Sequence, residues 1–86
     1  MNVSETLETR GTKYGDYTTL ASTAQAIKAA LKQGINYDSL DTDMRESLDM
    51  IAHKMARILN GDPYYVDSWH DISGYATLVE ERLRKL

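Results

Sequence analysis

The sequence predicts an all-α protein: a small bundle of three main helices preceded by a short N-terminal helix. Three observations carry that reading. Apolar residues recur at three- and four-residue spacing in three separate segments. Each segment is bounded by Gly, Asn, Asp or Pro, which start and stop helices. No stretch alternates apolar and polar residues over a useful length, and no internal repeat is evident.

Residues 1–10 form the short first helix in this reading. Ser4 followed by Glu5 and Glu8 marks its start, with negative charge near the positive end of the helix dipole. Arg10-Gly11 stops it, and the two glycines make residues 11–17 an ordered loop. The first long helix spans residues 18–33, capped by Thr18 or Thr19 and closed by Gly34. Leu20, Ala24, Ile27 and Leu31 make its apolar stripe, and its alanines allow a neighbour to approach closely.

Residues 35–40 connect to the second long helix. Asp41 to Asp43 open it, Asp43 with Glu46 has capping-box spacing, and Asn60-Gly61 ends it. Met44, Leu48, Ile51, Met55 and Ile58 form its stripe. Asp62-Pro63 then signals a new helix start, with an irregular turn expected before the helix proper. Trp69, Ile72, Ala76, Val79, Leu83 and Leu86 give the most regular pattern in the chain. Short connectors make the last two helices antiparallel neighbours. Leu78 and Gly74 lie on the far side of the last helix, giving it a second edge and pointing to self-association.

Composition narrows the function. With 86 residues, 42% apolar and 27% charged, the chain reads as one helical domain, residues 1–86, and a small one that a partner subunit would stabilise. Phe is absent, so six tyrosines and Trp69 supply the aromatic contacts. A net charge of −3 argues against nucleic-acid binding through a broad basic face. The absence of cysteine excludes disulfides, zinc–thiolate sites and thiol nucleophiles. No apolar run is long enough to span a membrane and no secretory leader is visible, so a cytoplasmic setting is expected. His53 and His70 lack zinc-ligand spacing, and neither a P-loop nor a nucleophile elbow is present.

The densest chemistry is Asp67-Ser68-Trp69-His70-Asp71-Ile72-Ser73-Gly74-Tyr75, with Lys54 and Arg57 upstream. Asp67 and Asp71 share a helix face and could hold Mg²⁺. Alternatively, Asp67 stabilises the helix start, and Lys54 or Arg57 forms an ion pair with Asp67 or Asp71. Lys54 and Arg57 could also grip a phosphate. Glu46, Asp49 and His53 lie opposite the apolar stripe of their helix, where most such groups are simply hydrated. Arg10, Tyr14 and Asp16 sit on the glycine-bearing loop. That loop could fold over the last helix, pairing Arg10 with Asp71 and stacking Tyr14 on Trp69.

Three motifs in order, Arg10-Gly11-x-x-Tyr14-Gly15-Asp16, Lys54-x-x-Arg57 and Asp67-Ser68-Trp69-x-Asp71-x-x-Gly74-Tyr75, resemble a family of small phage and prophage proteins. The same signature resembles the nucleotide-modification-associated domain of phages and, more distantly, the all-α nucleotide pyrophosphohydrolases of the MazG type. The resemblance implies a helical fold and a link to nucleotide metabolism, in a host cytoplasm if the chain is phage-encoded. MazG-type enzymes hold Mg²⁺ with E-E-x-x-E on one helix and E-x-x-D on the next. Here Glu46-x-x-Asp49 supplies one half, and Asp67 with Asp71 an imperfect second.

Two functions follow as expectations. One is a non-catalytic, oligomeric interaction module in which Arg10, Asp16, Lys54, Arg57, Asp67, Trp69, Asp71 and Tyr75 form a structural network. The other is a nucleotide binder or Mg²⁺-dependent pyrophosphohydrolase. In it Lys54, Arg57, Tyr14 and Arg10 meet the nucleotide and Asp67 and Asp71 the metal.

Overall fold

The structure, a computed structural model, describes residues 2–86. Its regular elements are α1 (Val3–Tyr14), α2 (Tyr17–Leu31), a 3₁₀ turn at Tyr37–Ser39, α3 (Thr42–Asn60) and α4 (Val66–Arg84). The fold is all-α, and no strand occurs among the described residues.

Helix α1 is capped two residues before Ser4 and ends later than the sequence suggests; Met1 lies outside the described residues. Its cap is Asn2 rather than Ser4: Asn2 Oδ1 accepts from the Glu5 amide at 2.9 Å, and Glu5 reaches back to the Asn2 amide at 3.3 Å. The helix then runs through Gly11 to Tyr14, so residues 11–17 are not a loop. Glycine inside a helix costs only about 1 kcal/mol, a penalty that docking of the helix offsets. Only Gly15-Asp16 separates α1 from α2. Asp16, not a threonine, caps α2, accepting from the Thr19 amide at 3.1 Å.

Helix α3 is central. It packs against α4 on one side and α2 on the other, while α2 and α4 barely meet. The three long helices thus form a flat layer, with α1 docked on one face against α3 and α2. The α2–α3 seam is made of small residues. Leu20, Ala24, Ala52 and Ala56 are buried, as the α2 stripe predicts for its part. Burying Leu20 contributes roughly 2 kcal/mol, and the alanines let the helix backbones close up.

The α3–α4 seam is polar at its ends. Ser47 Oγ donates to the Tyr75 carbonyl at 3.2 Å. Arg82, near the end of α4, donates through Nη2 to Asp41 and Asp43 at the start of α3, both at 2.8 Å. These bonds fix the two helices antiparallel. They also redirect Asp43, which the sequence assigns to a cap, into a cross-helix ion pair whose guanidinium holds its carboxyl below the usual range.

Two stripes lie differently from expectation. Helix α4 turns Ser68, Asp71, Ile72, Tyr75, Val79 and Arg82 inward, leaving Trp69, Ala76 and Leu83 exposed. On α3 the buried positions are Ser47, Ala52, Lys54 and Ala56. Met44, Leu48, Ile51 and Ile58 are half-buried, and Met55 is exposed. At 100° per residue, Met44, Leu48, Ile51, Met55 and Leu59 leave α3 on the face of the layer opposite α1. Trp69, Ile72, Ala76 and Leu83 leave α4 on the same face.

No large side chain is fully buried among the described residues. The accessible surface is 6237 Å², against about 5100 Å² for a compact chain of 9.7 kDa. The radius of gyration is 14.7 Å, against about 12 Å for a compact 86-residue fold.

Candidate functional site

Tyr14 and Gly15 of the first motif, Arg57 of the second and Asp67 of the third come together where the α1–α2 joint meets the α3–α4 joint. Gly15 sits at φ 88° and ψ −175°, a conformation open almost only to glycine. A Cβ there would also fall on the Asn60 carbonyl oxygen, and one at Gly61 on the backbone of Lys13 and Tyr14. The two joints therefore touch backbone to backbone. The Asp62 amide completes the contact by donating to the Lys13 carbonyl at 2.8 Å.

This contact seats Tyr14 between two helices. The Arg57 guanidinium lies 4.1 Å from the centre of its ring, a cation–π contact. The Tyr65 ring meets it edge-on, with centroids 5.7 Å apart. Lys13 Nζ lies 4.9 Å from the Tyr65 ring centre, and the Tyr65 hydroxyl donates to Asp67 at 2.9 Å. The nearby carboxylate raises the pKa of the Tyr65 phenol.

Tyr14 thus stacks on Tyr65, not on Trp69. Trp69 leaves α4 on the face away from α1 and donates its indole N–H to the Pro63 carbonyl at 2.8 Å, locking the turn before its own helix. Arg10 does not pair with Asp71. It is exposed on α1, while Asp71 is held by Lys54 at 2.9 Å across the α3–α4 seam. Lys54 is buried apart from its contact with that carboxylate, and it holds the Asp71 carboxyl below the usual range. Asp16 serves α2, and Tyr75 contributes its carbonyl to Ser47. The expected network is therefore not a single one: Arg57 and Asp67 are linked through Tyr14 and Tyr65, Lys54 holds Asp71, and Arg10, Asp16, Trp69 and Tyr75 lie apart from both.

Between α1, the start of α2 and α3 lies a groove of about 430 Å³. Arg10, Gly11, Tyr14, Gly15 and Asp16 of the first motif line it, together with Arg57 of the second. Leu7, Tyr17, Leu20 and His53 complete the walls. Burial lowers the pKa of His53, and the cations Arg57, Lys28 and Lys54 lower it further. Of the four residues expected to meet a nucleotide, Arg10, Tyr14 and Arg57 face this groove, and Lys54 is turned to Asp71.

The residues do not fit Mg²⁺. Asp67 accepts from Tyr65 and Asp71 from Lys54, and no group of three His, Asp or Glu side chains gathers among the described residues. Magnesium is commonly held by one or two carboxylates with waters completing its shell, and here both candidate carboxylates already accept from side chains of the chain itself. A second, shallower hollow beside Asp71 and Leu78 is lined by α4 alone.

Sequence reasoning missed Tyr65, Lys13, Asn60 and Arg82. Asn60 was visible only as a helix stop, yet its amide also donates to Thr23 at 3.0 Å, tying α3 to α2. No family model, curated protein or solved structure matches the chain. No described helix is long and apolar enough to cross a membrane.

Proposed function

We propose that this chain is a non-catalytic interaction module that works as a self-associated assembly, with a second copy covering the layer face opposite α1. The carrying observation is the stripe on that face. Met44, Leu48, Ile51, Met55 and Leu59 run along α3 without a charged residue among them, beside Trp69, Ile72, Ala76 and Leu83 of α4. Leu59 is 67% exposed and Trp69 56%. Along α3 this face carries no charge, and on α4 Glu80, paired with Arg84, is the charged residue that interrupts it; an exposed apolar stripe of this length marks an interface.

The chain exposes about 1100 Å² more than a compact fold of its mass, part of it on this face and part on α1 and the connectors, and a standard interface takes about 800 Å² from each partner. Two layers meeting face to face would enclose the methionines, leucines and Trp69 that the isolated chain leaves half in water. The engagement of Asp67 and Asp71 within the chain supports a non-catalytic role, and among the described residues no group of three metal-ligating side chains stands behind the pyrophosphohydrolase reading. The phage setting and the nucleotide link are proposed on the resemblance alone.

Charge insertion tests the reading. Met55→Glu and Leu59→Glu lie at exposed positions with no side-chain hydrogen bond to lose, so each chain should keep its helicity by circular dichroism. Light scattering should show each variant falling to the mass of one chain. An unchanged mass for both variants would remove this face as the interface.

A further inference from the structure

We propose that the groove between α1, α2 and α3 binds a small amphipathic anion, with an apolar body and a single phosphate or carboxylate head. The argument starts from Arg57. It is half-buried, its Nε is closed off against the protein as that of Arg45 is, and unlike Arg45 its guanidinium has no hydrogen bond or ion pair among the described residues. A guanidinium carries five donors, and buried donors are ordinarily matched.

Three other arginines find acceptors: Arg82 in Asp41 and Asp43, Arg84 in Glu80, and Arg45 in the Asp38 carbonyl. Arg57 and Arg10 find none among the described residues, and both line the same groove. Tyr14, packed 4.1 Å from the Arg57 guanidinium, holds that fork in place. A planar fork held in place suits an oxyanion bound through two parallel hydrogen bonds.

The rest of the groove fits an apolar body. Leu7, Tyr14, Tyr17 and Leu20 supply the walls, and about 430 Å³ lies in the range of small-molecule sites. Asp16 is the one carboxylate in the lining, and it is turned to the start of α2, where it accepts from the Thr19 amide and hydroxyl. His53 faces the groove as a neutral imidazole above its lowered pKa, free to donate or accept.

The test is a nuclear magnetic resonance titration of the ¹⁵N-labelled chain with phenyl phosphate, benzoate, inorganic phosphate and phenol. Phenyl phosphate or benzoate should produce saturable shifts in the Arg57 Nε–Hε signal and the Gly11 and Gly15 amides. The tighter of the two names the head group. It should bind about tenfold more tightly than inorganic phosphate or phenol, since each lacks half of the recognised chemistry. Arg57→Gln should weaken it by about tenfold, with Arg57→Lys in between. Arg10→Gln, at an exposed helix position, should weaken it less and keeps the test open if the Arg57 variants fail to fold. No saturable shift, equal binding of inorganic phosphate, or unchanged affinity in the variants that fold would overturn the proposal. The groove and the apolar stripe lie on opposite faces of α3, so either can fail without the other.

Discussion

The Arg57 guanidinium lies 4.1 Å from the centre of the Tyr14 ring, and Tyr14 in turn meets Tyr65 edge-on at 5.7 Å. One tyrosine thereby ties α1 to α3 and to the turn before α4. It is the main anchor of α1, which has no buried residue of its own. Tyr14→Ala should therefore destabilise the fold by about 2 kcal/mol and weaken the order of α1. Tyr14→Phe should cost less than about 0.5 kcal/mol, because the ring makes the contacts. Urea denaturation of both variants, with hydrogen exchange of the α1 amides, checks the pair.

The glycines separate into two kinds. Gly15→Ala places a Cβ on the Asn60 carbonyl at a positive φ and should cost at least about 2 kcal/mol. Gly11 and Gly74 are helical, and a methyl group at either would meet open space. Gly11→Ala and Gly74→Ala should each stabilise the chain by about 0.5–1 kcal/mol. Opposite shifts in melting temperature are the expected result. A neutral Gly15→Ala would contradict the backbone contact between the two joints.

Titration of His53 gives a pH dependence. Its folded pKa is lowered from the usual 6.5, by burial first and by neighbouring cations second. The unfolded chain therefore takes up the proton first as pH falls. Stability should be full above pH 6.5 and decline as the pH drops through the folded value. His53→Gln should flatten that part of the profile. The His53 ring signals should titrate with a midpoint below 6.5.

At lower pH the cross-helix pairs take over. Lys54 holds Asp71, and Arg82 holds Asp43, below the ordinary value of 3.8. Their stabilisation is present above that value and is lost as pH falls through the lowered folded values. Asp71→Asn and Asp43→Asn should each make stability below about pH 4 less steeply dependent on pH. Equal slopes in the variants and the unaltered chain would contradict both pairings.

Helix number, order and the α2 stripe were legible because they rest on local spacing and on stop residues such as Gly34 and Gly61. The Lys54–Asp71 pair was one of several pairings open at the α3–α4 joint, since the two helices had to be antiparallel. The run of α1 through Gly11 was not legible, because a small propensity cost hid behind a tertiary contact made by Tyr14. The rotation of α4 was missed for a related reason. Ser68 and Asp71 face α3 through specific polar partners, and the apolar Trp69 and Leu83 are left outside. A hydrophobic stripe marks a face that wants covering, and here part of that face is not covered within the chain. The groove escaped notice because its residues come from three helices.

Sedimentation equilibrium of the unaltered chain over a wide concentration range tests the central claim most directly. The proposed assembly through the face opposite α1 predicts a mass that is a whole-number multiple of 9.7 kDa and falls toward 9.7 kDa on dilution. A single species of 9.7 kDa at every concentration would contradict it.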